Sequence, residues 1–486
     1  MRLGVKIRRL RQEKKLTQAQ MAQQLEISTS YLNLLEHNQR PVTASVLLKL
    51  AQRFSVDTAW FQSDDEPRLL SELMEALSDP LFDVHGIKAT DVKELVGVSP
   101  AIGQALLTLY QAMRGGRAPS QPPQDRQGED GDAANGDVSE LPTGMPSEEV
   151  SDLLHVCKNH FPSLELAAES LWRDHKLSLG SLYQDLEMVL AKRFAVDVAV
   201  LSHEAMDNVL RDYRPLQRQL RLSELLPLPS RVFQLAYQIA LLGWGNEINV
   251  LAARGKFTTP EADLLARMVL ANYFAGAVMM PYARFLEAAH TTRHDLDILQ
   301  RRFGASFEQV CHRLTTLRRA GAQGIPFHLI RVDVAGNISK RYNGSGINIA
   351  RFGAACPRWN VYDAFATPGM LRLQVSQMPD GASFFCVART ITPIGGRART
   401  HPYGTRAPRL AIGLGCRLSH ARDIVYADGL ALEDPQMVTP IGVSCRVCER
   451  TDCSERALPS RNFKLVVDEN RRGLSTYSRP EPSRAE

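Results

Sequence analysis

The N-terminal part of the fold is decided by residues 16–43, which read LTQAQMAQQLEISTSYLNLLEHNQRPVT. Thr17 can cap a helix, with Gln20 three residues later as its capping-box partner. The apolar face of that helix is predicted to consist of Ala19, Ala22 and Leu25. After a turn, Ser28 opens a second short helix that begins with small polar residues. Two short helices joined in this way form a helix-turn-helix, whose second helix reaches base edges in the major groove.

Amphipathic stretches on both sides complete an all-helical unit over residues 1–62, namely VKIRRLRQEKK before the motif and VLLKLAQRF after it. The unit resembles the Cro/C1-type repressor DNA-binding domain. It carries that family's T-Q-x-x-[ML]-A and S-x-S-Y-[LI]-[NS]-x-[LI]-E signatures. The resemblance implies binding to an operator in double-stranded DNA.

Charge supports the same interpretation independently. Residues 1–62 contain ten Lys and Arg against four Asp and Glu, whereas the whole chain has a net charge of +5. A basic excess confined to one small domain indicates a localised site for a polyanion. The candidates for base contacts are Ser28, Thr29, Ser30 and Asn33, with Tyr31 touching base or backbone. The candidates for phosphate contacts are Gln18, which resembles the family's phosphate contact, and Arg8, Arg11, Lys15 and Arg40. The alternative is that Tyr31 belongs to the core and the basic run is a solvated helix face.

The composition is that of a soluble globular protein. The 486 residues suffice for about three domains, and the hydrophobic fraction of 44% and charged fraction of 23% are ordinary. The sequence has no run of about eighteen apolar residues, so no membrane span is indicated. The N-terminus has no secretory core, so we expect a cytoplasmic location.

Composition and periodicity divide the remaining chain into four segments. Residues 63–113 have helical spacing and form either a dimerisation element or a local subdomain on the helix-turn-helix. Residues 114–146 are rich in Gly, Pro, Asp, Ser and Gln and are expected to be a disordered linker. Residues 147–330 return to helical patterning, and residues 331–486 show strand-like runs.

Two segments of the middle domain resemble the paired helices of metallopeptidase-like domains of the ImmA/IrrE type. The second keeps that family's A-N-x-F-A frame from Ala271 onward. The first should carry H-E-x-x-H, but the chain has Tyr-Gln-Ile-Ala-Leu at residues 237–241. Without zinc ligands or a carboxylate to activate water, we expect no catalytic residues and no enzyme activity. The former cleft, around Tyr237 and Tyr273, is then free to bind a small effector. The alternative is a collapsed core.

The C-terminal domain is predicted to contain β-hairpins. Alternating and β-branched residues surround turns within residues 326–347 and 371–391, and two further strand-like runs cover residues 407–418 and 421–430. We therefore expect a multidomain chain: an all-α N-terminus, a mainly helical degenerate metallopeptidase-like middle domain and an α+β C-terminal domain.

Three cysteines are bunched near the C-terminus in the pattern C-x2-C-x4-C, at Cys445, Cys448 and Cys453. Close thiolates suit one corner of an iron–sulfur cluster or a zinc site. Because no fourth Cys or His lies nearby in sequence, a 4Fe-4S cluster with a distant or non-cysteine fourth ligand fits better than zinc. Cys356 is the candidate for that ligand. Unligated structural thiols are the third possibility.

The order of these segments resembles one family across essentially the whole chain, the bacterial short-chain fatty acid (acyl-CoA) responsive regulators. The specific motifs are G-x-x-C-P-R-W-N at residues 353–360 and C-R-x-C-E-R-x-D-C at residues 445–453. The resemblance implies a regulator of propionate, methylcitrate or glyoxylate metabolism, acting as a homodimer or homotetramer. It further implies an acyl-CoA or CoA effector and an iron–sulfur cluster. Candidate cations for the CoA phosphates are Arg173, Lys176, Lys192, Arg193 and Arg231. The alternative function is a repressor that senses a partner protein and holds a structural zinc.

Overall fold

The structure is a computed structural model of the 486-residue chain. It describes residues 7, 8, 10, 11, 14, 16–36, 40, 42–54, 65–79, 81, 82, 87, 89–115, 145–207, 209–351, 355–392, 409–461, 475 and 477. The predictions for Lys15, for Gly353 and for nearly all of the linker fall outside these residues. The chain divides into two compact units, residues 1–110 and 111–486.

The first unit begins with the helix-turn-helix, whose helices are α1 (Gln18–Leu25), α2 (Thr29–Glu36) and α3 (Ala44–Phe54). The predicted capping box is present, since the Thr17 hydroxyl accepts from Gln20 N at 3.2 Å and the Gln20 side chain accepts from Thr17 N at 2.9 Å. The predicted apolar face needs one correction, because Met21 lies in the core and Ala19 is exposed.

Three further helices follow: α4 (Asp65–Ala76), α5 (Ala89–Val98) and α6 (Pro100–Gly115), of which α6 belongs to the first unit as far as Tyr110. Helix α6 lies close against α4 at Gly103, where an added Cβ would meet Leu73 Cδ1 at 2.8 Å. Tyr110 is buried further along α6 and its hydroxyl donates to Asp79 at 2.9 Å. The inner face of α6 is therefore fixed by contacts within its own unit.

The second unit opens with a helical domain. Its helices are α7 (Pro146–Val156), α8 (Pro162–His175), α9 (Leu182–Phe194), α10 (Leu228–Gly243), α11 (Gly245–Ala252), α12 (Pro260–Met279), α13 (Tyr282–Thr291), α14 (Leu296–Phe303) and α15 (Phe307–Leu314). Three strands between α9 and α10 were not predicted: β1 (Asp197–Leu201), β2 (Arg211–Arg214) and β3 (Gln219–Ser223). They form a sheet in the order β1-β3-β2, with β1 parallel to β3. All three strands are only four or five residues long, and β2 reads Arg-Asp-Tyr-Arg, so their apolar pattern is too short to indicate strands.

The C-terminal domain is built on a six-stranded sheet. After a small hairpin of β4 (Arg318–Arg319) and β5 (Ala322–Gln323), the sheet strands and one short helix follow. They are β6 (His328–Asp333), β7 (Ile338–Asn343), α16 (Asn360–Asp363), β8 (Arg372–Gln377), β9 (Ser383–Ile391), β10 (Leu410–Arg417) and β11 (Val438–Pro440). The order is β11-β8-β9-β10-β6-β7, so both predicted hairpins are present as β6–β7 and β8–β9.

One predicted strand is wrong. Residues 421–430 lie in a region of short 3₁₀ helices, Leu418–Asp423 and Val425–Ala427, and not in a strand. The segment packs its apolar side chains on the main core, with Ala421, Ile424 and Ala427 buried there. A short apolar run does not by itself distinguish a strand from a turn of helix.

Helix α12 is long and apolar enough to cross a membrane by length and composition alone, although it contains charged residues. Ten of its twenty residues are buried, and it contacts α8, α10 and α11 within the helical domain. This placement is that of a core helix of a globular domain.

A buried ion pair crosses the helical domain behind α12. Glu165 of α8 receives two hydrogen bonds from Arg313 of α15, at 2.6 and 2.9 Å, and both side chains are at most 2% exposed. Tyr273 of α12 donates to the same carboxylate at 2.6 Å, and Arg313 also donates to Met280 O at 2.9 Å. Burial raises the pKa of Glu165, but the charge and hydrogen bonds of Arg313 outweigh it, so the net pKa is lowered.

We expect Glu165→Gln to destabilise the second unit by about 3–5 kcal/mol, because it leaves the Arg313 charge buried without a counter-charge. The matched control is Glu169→Gln, whose pair with Arg319 is about one third exposed and should contribute roughly 0–1 kcal/mol. Denaturant unfolding of both variants measures the difference. Since folding lowers the pKa of Glu165, its stabilisation is complete above the ordinary value of 4.5 and is lost as the pH falls through the folded value. Equal losses in the two variants would contradict this assignment.

Candidate functional site

The predicted base-reading residues lie at the start of α2. Ser28, Thr29, Ser30 and Asn33 are exposed, and Tyr31 is half-buried against the core of the domain. The Ser28 hydroxyl accepts from Tyr31 N at 3.1 Å, so it also caps the helix. The first turn of α2 thus presents small polar groups to solvent, as a recognition helix requires. Arg8 and Arg40 are exposed and stay phosphate-contact predictions.

Helix α2 is held to the preceding segments through Glu36, which is 3% exposed. Arg11 donates to its two carboxylate oxygens at 2.6 and 3.1 Å, and Gln18 Nε2 donates at 2.9 Å. Gln18 Nε2 also lies 3.3 Å from Asn33 Oδ1. Arg11 was predicted to contact phosphate, but its guanidinium is engaged by this buried carboxylate, which needs a compensating charge. Burial raises the pKa of Glu36, but the hydrogen bonds from Arg11 and Gln18 have the larger effect together with the charge of Arg11. The net pKa of Glu36 is therefore lowered.

The sequence reasoning assigned no role to Glu36. A signal was available, because it is the last residue of the family signature and the only acidic residue within α2. The carboxylate sets the orientation of the recognition helix relative to the basic segment before it.

The cysteine segment packs against the loop that carries Cys356. Cys356 N donates to Val443 O at 3.0 Å, and Trp359 Nε1 donates to Gly442 O at 3.2 Å. Gly442 is required there, because an added Cβ would lie 2.9 Å from Cys448 Sγ. These bonds bring together two parts of the chain that are about ninety residues apart.

The pKa of the Cys356 thiol is raised to about 11, mainly by burial and in smaller part by the nearby Cys445 and Cys448. Cys356 is thus a neighbour of two of the three clustered cysteines. Within the residues that the structure describes, however, no three His, Cys, Asp or Glu side chains are placed as ligands of one metal ion. The donor set has the thiol chemistry that a cluster or zinc needs.

A buried arginine holds the cysteine loop in shape. Arg456 donates to Cys445 O at 2.7 Å and also bonds the carbonyls of Cys448 and Arg450. Ser460 Oγ donates to Cys448 O at 2.8 Å. The carbonyls of a tight loop without regular structure are satisfied in this way, so the loop has a defined conformation.

The place of the metallopeptidase motif on α10 is occupied by an aromatic and an amide side chain. Tyr237 and Gln238 are both buried. Arg211 of β2 stacks over the Tyr237 ring, with Cζ 4.3 Å from its centroid, and its Nη1 donates to Gln238 Oε1 at 2.8 Å. Burial lowers the pKa of Arg211, with Tyr237 opposing that shift. Among the described residues, no acidic side chain pairs with this guanidinium within 4 Å. Arg211 was not predicted, because β2 was not predicted.

The other effector candidates have separate partners. Tyr273 belongs to the buried network of Glu165. Arg231 donates to Leu226 O at 2.8 Å and Glu224 O at 2.9 Å, so it fastens the loop before α10. Arg193 lies over the Trp244 ring at 5.1 Å. Of Tyr237, Tyr273, Arg193 and Arg231, Tyr237 is the one that adjoins the former motif together with a partly buried cation.

Two arginines of the C-terminal domain bind the first helix after the linker. Arg351 donates to Asp152 of α7 at 2.8 Å and lies 3.0 Å from Glu148, which Arg341 of β7 also bonds. Helix α7 also contacts α12. It therefore joins the helical domain to the C-terminal sheet. In the sequence, α7 follows the linker that comes after the helix-turn-helix unit.

These features define a class of protein: a helix-turn-helix DNA-binding protein with a helical domain and a sheet domain attached. Three family models divide the chain in the same order. Residues 7–61 match a helix-turn-helix family, residues 191–315 match the IrrE N-terminal-like domain, and residues 316–477 match the short-chain fatty acyl coenzyme A regulator C-terminal family.

Relatives match along nearly the whole chain. The HTH-type transcriptional regulator PrpR of Mycobacterium tuberculosis is 39% identical over 482 residues, which cover 99% of this chain and 96% of PrpR. RamB of the same organism and the propionyl-CoA carboxylase regulator of Cereibacter sphaeroides are each 39% identical, covering 98% of both chains. A solved Mycobacterium tuberculosis transcriptional regulator is 41% identical with a TM-score of 0.65, covering 69% of this chain and all of that one.

The chain belongs to the short-chain fatty acyl coenzyme A regulator family of helix-turn-helix transcriptional regulators. The family resemblance inferred from the sequence motifs and the multidomain fold class are confirmed.

A contrast between Asn33→Ala and Arg40→Ala tests the DNA-binding residues. Loss of a base-edge contact at Asn33 should cost about 1–3 kcal/mol on a cognate duplex and relax the preference at one position. Loss of a phosphate contact at Arg40 should weaken binding to all sequences alike. It should also reduce the slope of log K against log salt concentration by about one. Binding is measured on a duplex selected from a random-sequence library and on a scrambled duplex, at several salt concentrations. The assignment of Asn33 fails if its variant loses affinity equally for both duplexes.

Proposed function

We propose that this protein regulates transcription of short-chain acyl-CoA or carboxylate metabolism in response to an acyl-CoA effector bound by the helical domain. It acts in the cytoplasm on a DNA operator that α2 reads. The name of one relative refers to regulation of propionyl-CoA carboxylase, and the family model matched by residues 316–477 describes short-chain fatty acyl coenzyme A regulators. Both support this choice of effector class.

The observation that carries the proposal is the exchange at the former metallopeptidase motif. The helix frame is kept on α12. On α10, Tyr237 and Leu241 stand at the positions of the two zinc-binding histidines, and Gln238 stands at the position of the glutamate that activates water. Arg211 adds a partly desolvated cation that makes no ion pair within 4 Å among the described residues, although the charge of Asp212 acts on it. Such a cation favours an anionic ligand, and CoA supplies phosphates. The site therefore suits binding of an anion and lacks the groups that hydrolysis would require.

Regulation requires that the effector bind two arrangements of the protein with different affinity. Helix α10 contacts α12, and α12 contacts α7. A ligand bound beside α10 can therefore change the position of α7 through α12. Helix α7 follows the linker and is bonded to Arg341 and Arg351. This series of helix contacts connects the proposed effector site to α7, the first helix after the linker to the helix-turn-helix.

We further propose that Cys445, Cys448, Cys453 and Cys356 hold an iron–sulfur cluster of the 4Fe-4S type. The bonds from Cys356 to Val443 and from Arg456 to the loop support it, because they gather the donors and fix the loop. When bound, such a cluster supplies either a structural cross-link or a redox-active group. Zinc is the alternative occupant of the same thiols.

Arg211→Ala should lower the affinity for propionyl-CoA by at least about tenfold, since a charge-assisted bond to phosphate contributes about 1.5–3 kcal/mol. The control is Arg214→Ala on the same strand, where the arginine is exposed and paired with Asp212 at 3.0 Å. Calorimetric titration with propionyl-CoA, acetyl-CoA and free CoA measures both variants. Wild-type protein that binds none of the three contradicts the effector proposal, and unchanged binding by Arg211→Ala contradicts only the assignment of the site.

The cysteine proposal is tested by anaerobic purification followed by iron, sulfide and zinc analysis. Cys448→Ser should abolish the bound iron, and Cys356→Ser should reduce it if Cys356 is the fourth ligand. Cys157→Ser is the control, because that cysteine is half-buried in the helical domain. If the wild type contains stoichiometric zinc and no sulfide, the cluster proposal is wrong and the site is a structural zinc site. If it contains neither iron nor zinc, the cysteines are ordinary thiols.

A further inference from the structure

Helix α6 has an apolar outer face that its own unit leaves exposed. The inner face, with Gly103, Leu107 and Tyr110, packs within the unit. On the other side, Ile102 is 53%, Leu106 39% and Leu109 66% exposed. Ala101 and Ala105 are exposed as well and lie between these large side chains on the helical surface.

The face carries no charge. Residues 100–113 read PAIGQALLTLYQAM and contain no Asp, Glu, Lys, Arg or His. The polar residues Gln104 and Thr108 lie along one edge, and the apolar residues form a continuous stripe beside them. Val98, at the end of α5, is a further apolar side chain that is 61% exposed. A helix that is apolar on both faces is normally covered on both.

We propose that this α6 face, defined as Ala101, Ile102, Ala105, Leu106 and Leu109, is the surface through which two copies of the chain pair. A second copy is favoured over a charged partner, because an uncharged surface offers nothing to complement opposite charge. The arrangement of small and large residues also suits pairing with itself. Alanines four residues apart leave a groove, into which the Ile and Leu ridge of a two-fold related helix can pack.

The choice of a second copy rests on the DNA-binding part of the proposed function. The same unit carries α2, and one recognition helix reads only one half-site, so operator binding by this class normally needs a symmetric pair. A sixteen-residue helix is about 24 Å long. Pairing along it removes several hundred Å² from each copy, the low end of specific interfaces of about 800 Å² per partner. We therefore expect a reversible dimer contact whose extent depends on concentration.

The test uses the full chain and sedimentation equilibrium over a range of concentrations, without DNA or effector. Leu109→Glu should weaken the association by about a hundredfold or more, because it places like charges in an apolar interface. The mass of the variant should therefore be that of a monomer if the wild type is a dimer, or that of a dimer if the wild type is a tetramer. Gln104→Glu, on the polar edge of the same helix, is the matched control and should leave the mass unchanged.

A mixing experiment separates loss of contact from loss of fold. Leu109→Lys alone should dissociate like Leu109→Glu, while an equimolar mixture of the two variants should associate again through opposite charges. A wild type that is monomeric throughout, an assembly unaffected by Leu109→Glu, or a mixture that stays dissociated would each overturn the proposal. Propionyl-CoA titration of Leu109→Glu keeps the two proposals distinct, since the effector site lies in the other unit and its binding should be retained.

Discussion

The helical domain depends on the buried pair of Glu165 and Arg313. Three helices, α8, α12 and α15, contribute side chains to it, and Arg313 also bonds the backbone at Met280 where α12 ends. A buried pair of this kind adds little net stability compared with apolar residues, but breaking it is costly. It therefore acts as a geometric constraint that fixes how α12 lies against its neighbours. This constraint explains how the helix frame of a metallopeptidase-like domain persists while the catalytic positions have changed.

Arg211 shows the complementary case of a charge without such a partner. Its guanidinium rests on an aromatic ring and an amide, both neutral. A desolvated cation of this kind is less stable than a paired one, so the fold pays for it unless an anion binds. The contrast between Arg313 and Arg211 separates a structural arginine from a candidate binding arginine within one domain. Spacing in the sequence alone does not make this distinction.

The C-terminal domain shows the same division between local pattern and long-range placement. Both hairpins could be predicted, because alternating residues and turn residues are local signals. The strand expected at residues 421–430 was wrong, since packing of Ile424 on the core favours 3₁₀ turns there. The position of Cys356 beside the cysteine loop follows from bonds to Gly442 and Val443. Those bonds have no counterpart in any sequence pattern.

The sequence by itself determined the helix-turn-helix, its capping box, the absence of the H-E-x-x-H zinc ligands and the family. Each of these is written in residues within a few positions of one another, so local chemistry is sufficient. Tertiary structure decided that Arg11 bonds Glu36, that β2 brings Arg211 to the former motif, and that one face of α6 stays exposed. These depend on which surfaces meet, and that is set by burial and charge compensation between residues far apart in the chain.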